Sequence, residues 1–257
     1  MAIGSIDAGH GGLDPGAVSS GIREADITLS VSDKLSDMLR ADGHEIVETR
    51  VGDVSVGLDE RIAIWTPRDL DFIVSVHCNS HDSDARGYEI WFQDGDDSSH
   101  ELAKWINQEI AASFGGDMPN RGLKAGSPSS WTNWYTFQGH QPADVLVELG
   151  FLSNSLDRDL LASHLHGAWA MAVADGVRGY LAAQDSPFDP GITDYAKMIN
   201  RQSVNERLIQ IVQSVHSELL PPMKAEFDAL HQQYADVIAG NRDLFDLDDA
   251  RESHETG

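Results

Sequence analysis

The 257-residue sequence holds a single cysteine, Cys78, so it can form no intrachain disulfide and no multi-thiolate zinc finger. A metal site in this chain has to be built from His, Asp and Glu. Basic residues are also scarce: 18 Lys and Arg stand against 42 Asp and Glu, giving a formal net charge of −24 that is spread along the chain. That balance excludes a nucleic-acid backbone as the expected partner, because phosphate binding needs a cationic surface. No apolar run is long enough to cross a bilayer, so membrane insertion is not expected. The opening MAIGSIDAGH lacks the basic and apolar regions of a secretory leader. The expectation is a protein that accumulates in the cytoplasm or is released by another route.

What is present suits a soluble globular protein, with 41% hydrophobic and 23% charged residues. The length allows one large domain, or one medium domain with an appendage. The acidity has two readings, an ordinary acidic protein or a surface adapted to high salt, where self-repulsion is screened. We read it as the second, because so large a charge costs compact-state stability in dilute buffer.

Residues 1–183 alternate strand-like and helix-like stretches. HEIVETR (44–50), DFIVSVHCN (71–79), GYEIWF (87–92) and ADVLVELG (143–150) are short and rich in β-branched or aromatic residues, with turn residues beside several of them, as strands are. Between them, Ile27, Val31, Leu35 and Leu39 repeat every four positions before Gly43, and Leu102, Trp105, Ile106 and Ile110 share a face in a stretch (98–116) that also ends in glycine. The alternation predicts an α/β domain: a mixed, largely parallel twisted sheet flanked by helices, with its site at the carboxyl ends of the strands. The turn-rich QDSPFDPG (184–191) reads as a linker. Residues 192–257 read as a helical region, with Met198, Leu208, Val212 and Val215 on one amphipathic face and Phe227, Leu230, Tyr234 and Ile238 on a second. A helical hairpin is expected there, ending in an acidic tail polar enough for disorder.

Four short motifs put ligand-type side chains where strands end or a helix begins. His10 lies in DAGHGGLDPGA, Glu24 in GIREADITLS, His77 in SVHCN and Glu148 in LVELGFLSN. Two imidazoles and one carboxylate make a catalytic zinc set with a position left for water, and the second carboxylate is then the base that takes the water's proton. Alternation along FIVSVHCN places Ser75, His77 and Asn79 on one face and Cys78 on the other, which makes Cys78 a core residue rather than a ligand.

These motifs, in this order, resemble those of the zinc-dependent N-acetylmuramoyl-L-alanine amidases of the amidase-3 type. The resemblance covers residues 2 to about 182 and extends to LDERIAIW (58–65), NRGLK (120–124) and the proline of QPADVLVE. It implies one Zn²⁺ per chain held by His10, Glu24 and His77, with Glu148 as the catalytic carboxylate. It also implies peptidoglycan as the substrate, cut at the amide joining N-acetylmuramic acid to L-alanine. Two alternatives keep parts of this reading: a zinc peptidase cutting within the stem peptide, and a wall-binding protein without turnover.

Among the neighbours, Asp14 of GGLDPG reads as a turn residue. Asn79 reads either as a group that orients a ligand or binds substrate, or as a strand-end hydrogen bond. Arg121 and Lys124, rare cations here, suit a stem-peptide carboxylate or a plain surface position. His164 and His166, two positions apart on a helix, face different ways and are set aside. Trp131 and Trp134 suit a glycan groove or core packing. Murein lies outside the cytoplasmic membrane, so the absence of a leader suits an endolysin released through a pore or carried by a virion. The 192–245 helices are then either a wall-binding region or, as we favour, a module for packing or self-association, since their acidity repels anionic wall polymers.

Overall fold

The computed structural model describes residues 1–66, 68–82, 84–126 and 142–185. In chain order they form β1 (Ile3–Ala8), the short pair β2 (Val18–Ser19) and β3 (Ile22–Arg23), α1 (Glu24–Ala41), β4 (Glu45–Glu48) and α2 (Leu58–Trp65). There follow β5 (Phe72–Asn79), β6 (Tyr88–Gln93), α3 (Asp97–Phe114), β7 (Asn120–Gly126), β8 (Ala143–Phe151), α4 (Ser155–Leu160) and α5 (His166–Asp185). The expected helical hairpin, most of the linker, the acidic tail and Trp131 and Trp134 lie outside the described residues.

Six strands make one sheet in the order β4-β1-β5-β8-β6-β7. β4, β1, β5 and β8 run parallel, β6 is antiparallel to β8, and β7 is parallel to β6. The sheet is therefore mixed and largely parallel, as the alternation of strands and helices predicts.

The period of two along each strand sorts side chains between two faces. Ile6, Phe72, Val74, Val76, Cys78, Ile90, Val145 and Val147 turn to one side and join one buried cluster with α1, α3 and α5. The four-residue repeat of α1 supplies Ile27, Val31, Leu35 and Leu39 to that cluster, all fully buried or nearly so. Asp96 caps α3 by accepting from the backbone N–H groups of Ser98 and Ser99. On the opposite face, α2 brings Trp65 onto Ile73, with its indole N–H donating to Ser5 Oγ at 2.9 Å. This second face carries Asp7, Ser75, His77 and Glu148, and the site develops on it.

A candidate metal centre at the strand ends

β1 closes at Ala8, two residues before His10, so His10 stands in the loop rather than ending the strand. Its backbone is left-handed (φ 58°), a conformation non-glycine residues rarely adopt. Two buried arginines hold it. Arg50 Nε donates to the Ala8 carbonyl at 2.9 Å and its Nη2 to the carbonyls of Gly9 and Ala25 at 2.9 and 2.8 Å. Arg61 donates to the carbonyls of Ala8 (2.8 Å) and His10 (2.9 Å) and pairs with the fully buried Asp7. Asp7 also accepts from Ser75 Oγ at 3.0 Å. The left-handed residue persists because these long-range bonds over-determine the loop.

Glu24 is the first residue of α1, where the unpaired N–H groups and helix dipole favour a carboxylate. Its Oε2 accepts from the Ala17 N–H at 2.8 Å and its Oε1 from the Cys78 N–H at 2.8 Å. The same Oε1 stands 3.1 Å from His10 Nε2 and 3.1 Å from His77 Nδ1. All three donor atoms lie within 4.8 Å of one another. A tetrahedral zinc with bonds of about 2.0 Å separates neighbouring ligand atoms by roughly 3.3 Å, close to the two 3.1 Å edges seen. The donor set therefore fits the ion.

Two glycines give these rings their room. A Cβ on Gly9 would stand 2.4 Å from the His77 ring, and one on Gly16 would stand 2.6 Å from both Glu24 Oε2 and the His10 ring. Asp14, read from sequence as a turn residue, serves the turn by accepting from Gly16 N–H at 3.0 Å. Its other oxygen lies 2.8 Å from His10 Nδ1, which leaves Nε2 turned to Glu24. This is the carboxylate–imidazole pairing that orients a metal-binding histidine.

The charges follow from these contacts. Burial works against a charged His10, but the carboxylates of Glu24 and Asp14 outweigh it and hold the imidazole up at about 9. Burial likewise opposes ionisation of Glu24, yet its bonds to His10 and His77 keep it well below the usual carboxylate range. Glu148 behaves in the opposite way: burial first, then the nearby charges of Glu24 and Glu89, push its pKa well up. Cys78 packs in the core, its thiol pushed up by burial.

Glu148 is the register partner of His77 across β5 and β8, so the two side chains leave the same face side by side. Both line a cleft of about 500 Å³ together with His10, Glu24 and Arg61. Glu148 Oε2 is buried there without a hydrogen-bond partner. Asn79 donates from Nδ2 to Glu89 at 3.0 Å, and Arg121 donates from Nε to the same carboxylate at 2.8 Å. His166 is apart from the site, its Nε2 donating to the Leu161 carbonyl at 3.0 Å.

Sequence reasoning missed Arg50, Glu89 and the partnership of Asp14 with His10. Arg61 left one local sign, since in LDERIAIW it sits four residues before Trp65 and so on the buried face of α2.

A model of the family described as N-acetylmuramoyl-L-alanine amidase matches residues 5–179. The uncharacterized protein YqiI of Bacillus subtilis (strain 168) is 36% identical over 178 residues, which is 68% of this chain and 82% of YqiI. The N-acetylmuramoyl-L-alanine amidase LytC of the same organism is 29% identical over 181 residues, covering 68% of this chain but only 34% of LytC. The chain thus matches about a third of the length of LytC. Among solved structures, the catalytic domain of CwlV, an N-acetylmuramoyl-L-alanine amidase from Bacillus (Paenibacillus) polymyxa var. colistinus, is similar at 29% identity and a TM-score of 0.64. That match covers 71% of this chain and 99% of the CwlV domain.

Proposed function

The chain belongs to the family of N-acetylmuramoyl-L-alanine amidases, and from that premise we propose that it is a zinc enzyme whose ion is held by His10, Glu24 and His77 and whose catalytic carboxylate is Glu148. It hydrolyses the amide between the lactyl group of N-acetylmuramic acid and L-alanine in peptidoglycan. When bound, zinc supplies Lewis acidity, which polarises the amide carbonyl and makes water a nucleophile at neutral pH.

The remaining chemistry belongs to the chain. Asp14 holds the His10 ring so that Nε2 faces Glu24, and Arg50 and Arg61 hold the loop that carries it. Glu148 has a free carboxylate oxygen in the cleft. It accepts the proton of the attacking water and passes it to the departing nitrogen of L-alanine. Its raised pKa makes it a stronger proton acceptor than an exposed carboxylate, and the proton it takes is then at hand for the departing nitrogen. Water adds to the carbonyl carbon, the C–N bond breaks, and the products are a lactyl carboxylate and a free amine.

The observation that carries this reading is the pairing of His77 with Glu148 on adjacent strands, above a cleft that also holds the other two donors. We extend the proposal to a lytic role, with release of the protein to the wall, because the substrate lies outside the cytoplasmic membrane. The test is to incubate the protein with soluble muropeptide, with and without chelator, and to identify products by mass spectrometry. Intact stem peptide with a free L-alanine amino terminus, lost with chelator and restored by zinc, is the expected result. Cleavage within the stem instead identifies a peptidase and overturns the substrate assignment. Binding without cleavage overturns the catalytic reading.

A further inference from the structure

Beyond the metal-side residues, the sheet continues the site in a direction the mechanism does not use. Glu148 on β8 pairs directly with Glu89 on β6. On the far side of Glu89, the register of β7 shifts between the Tyr88 and Ile90 pairings, so that Arg121 and Gly122 together stand opposite Glu89. Such a bulge re-aims a side chain, and Gly122 takes the left-handed backbone (φ 83°) that the bulge requires. The result is a row across four neighbouring strands: His77, Glu148, Glu89, Arg121.

Arg121 is held on two sides. Its Nε donates to Glu89 Oε2 at 2.8 Å, and its guanidinium carbon lies 4.8 Å from the centroid of the Phe151 ring. Glu89 is itself fixed, its Oε1 accepting from Asn79 Nδ2 at 3.0 Å and from Trp91 Nε1 at 3.2 Å. The Arg121 side chain is 37% exposed, whereas that of Glu89 is 7% exposed. Among the described residues, the two terminal nitrogens of Arg121 have no hydrogen-bond partner. A guanidinium pinned through Nε and stacked on a ring presents those terminal donors as a rigid fork, the geometry that receives a carboxylate. In a chain of net charge −24, an anionic ligand needs such a local cation.

We propose that Arg121 is a subsite for the free carboxylate nearest the scissile amide on the stem peptide, and that Glu89 is the positioning residue that holds it. This rests on the amidase reading above. Strands are about 4.8 Å apart, which sets Arg121 two spacings, roughly 10 Å, from Glu148 along the row. In the stem, the residue after L-alanine is a glutamate joined through its side chain. Its α-carboxylate, free in some walls and amidated in others, therefore lies within about 7 Å of the scissile nitrogen, two residues' span. The length of the arginine side chain closes the difference. The subsite discriminates between these two wall chemistries, because a fork satisfied by a carboxylate is left partly unpaired by a carboxamide.

The test compares two synthetic substrates, N-acetylmuramoyl-L-Ala-D-isoglutamate and its isoglutamine counterpart, on wild type, Arg121→Gln, Arg121→Lys and Glu89→Gln. Wild type is expected to show the lower KM for the carboxylate form. Arg121→Gln should raise that KM about tenfold or more, leave kcat within about twofold, and raise the KM of the isoglutamine substrate by clearly less, so that the preference for the carboxylate form is lost. Arg121→Lys and Glu89→Gln should fall between, the first because charge without the fork gives partial rescue, the second because the fork is no longer held. Melting temperatures show whether each variant is folded. Equal losses on both substrates in a folded Arg121→Lys assign Arg121 to structure alone and overturn the proposal, as does a wild type that cleaves both with one KM. A wild type that cleaves neither overturns the amidase reading, and this inference with it.

Discussion

The Glu148 carboxyl is buried beside Glu24 and Glu89 with one oxygen unpartnered, and burial and those charges raise its pKa. A group whose folded pKa lies above its unfolded value contributes stability that is complete below the unfolded pKa and is lost as pH rises through the folded one. At neutral pH and without metal, Glu148 is therefore a liability. Glu148→Gln should reduce kcat by roughly a thousandfold while retaining zinc. It should also melt above the metal-free wild type, by a margin that widens as pH rises above the ordinary carboxylate range. A lower melting temperature there would show that the carboxylate holds the fold together.

His10 makes a second prediction at this scale. With its pKa held up at about 9, the imidazole of the metal-free protein is protonated at pH 7, and a metal takes only the neutral ring. Zinc uptake at pH 7 should therefore expel about one proton, and apparent affinity should rise with pH and level off near 9. Calorimetry in two buffers of different ionisation heat measures the release. Asp14→Ala, which frees His10 Nδ1, should weaken zinc binding by roughly 10–100-fold, read by competition with a chelator of known affinity.

At the scale of elements, α2 reaches the His10 loop through Arg61. Arg61 pairs with Asp7 under the sheet and reaches the His10 carbonyl, so Arg61→Met leaves a buried carboxylate without its cation. The expected cost is about 3–5 kcal/mol, measured by urea unfolding. Asp7→Asn added to Arg61→Met should recover part of it, because the two sites are directly coupled. The core-facing side of the helices was legible in sequence, since Ile27, Val31, Leu35 and Leu39 follow the period that burial imposes. Neither the β2–β3 pair nor β7 was legible as strand. Two-residue strands carry no period, and NRGLKAG has only one large apolar residue, so its pairing with β6 is decided by the neighbour rather than by its own pattern.

For the whole molecule, the net charge of −24 sets the response to salt. Raising ionic strength from about 0.1 to 2 M shortens the screening length from about 10 Å to a few ångströms, so the melting temperature should climb and activity persist. A fall in both would remove the salt-adapted reading. On the proposed metal site, zinc should add stability by mass action, about 4 kcal/mol at a thousandfold excess over its Kd. Chelation should lower the melting temperature accordingly.

What the sequence determined by itself is everything that rests on local pattern: the α/β alternation, the burial of Cys78 opposite His77, and the ligand-type residues in DAGHGG, READ, SVHCN and VELGF. Each is carried by a few adjacent residues whose spacing expresses a strand, a turn or a helix start. The tertiary structure alone decided which atoms meet. Glu24 reaches both histidines because α1 begins beside the end of β5. Arg50 and Arg61 converge on one loop from separate elements, and Glu89 joins Asn79 to Arg121 across strands far apart in the chain. Contacts of that range depend on sheet order and register, and a chain read residue by residue holds no local trace of either.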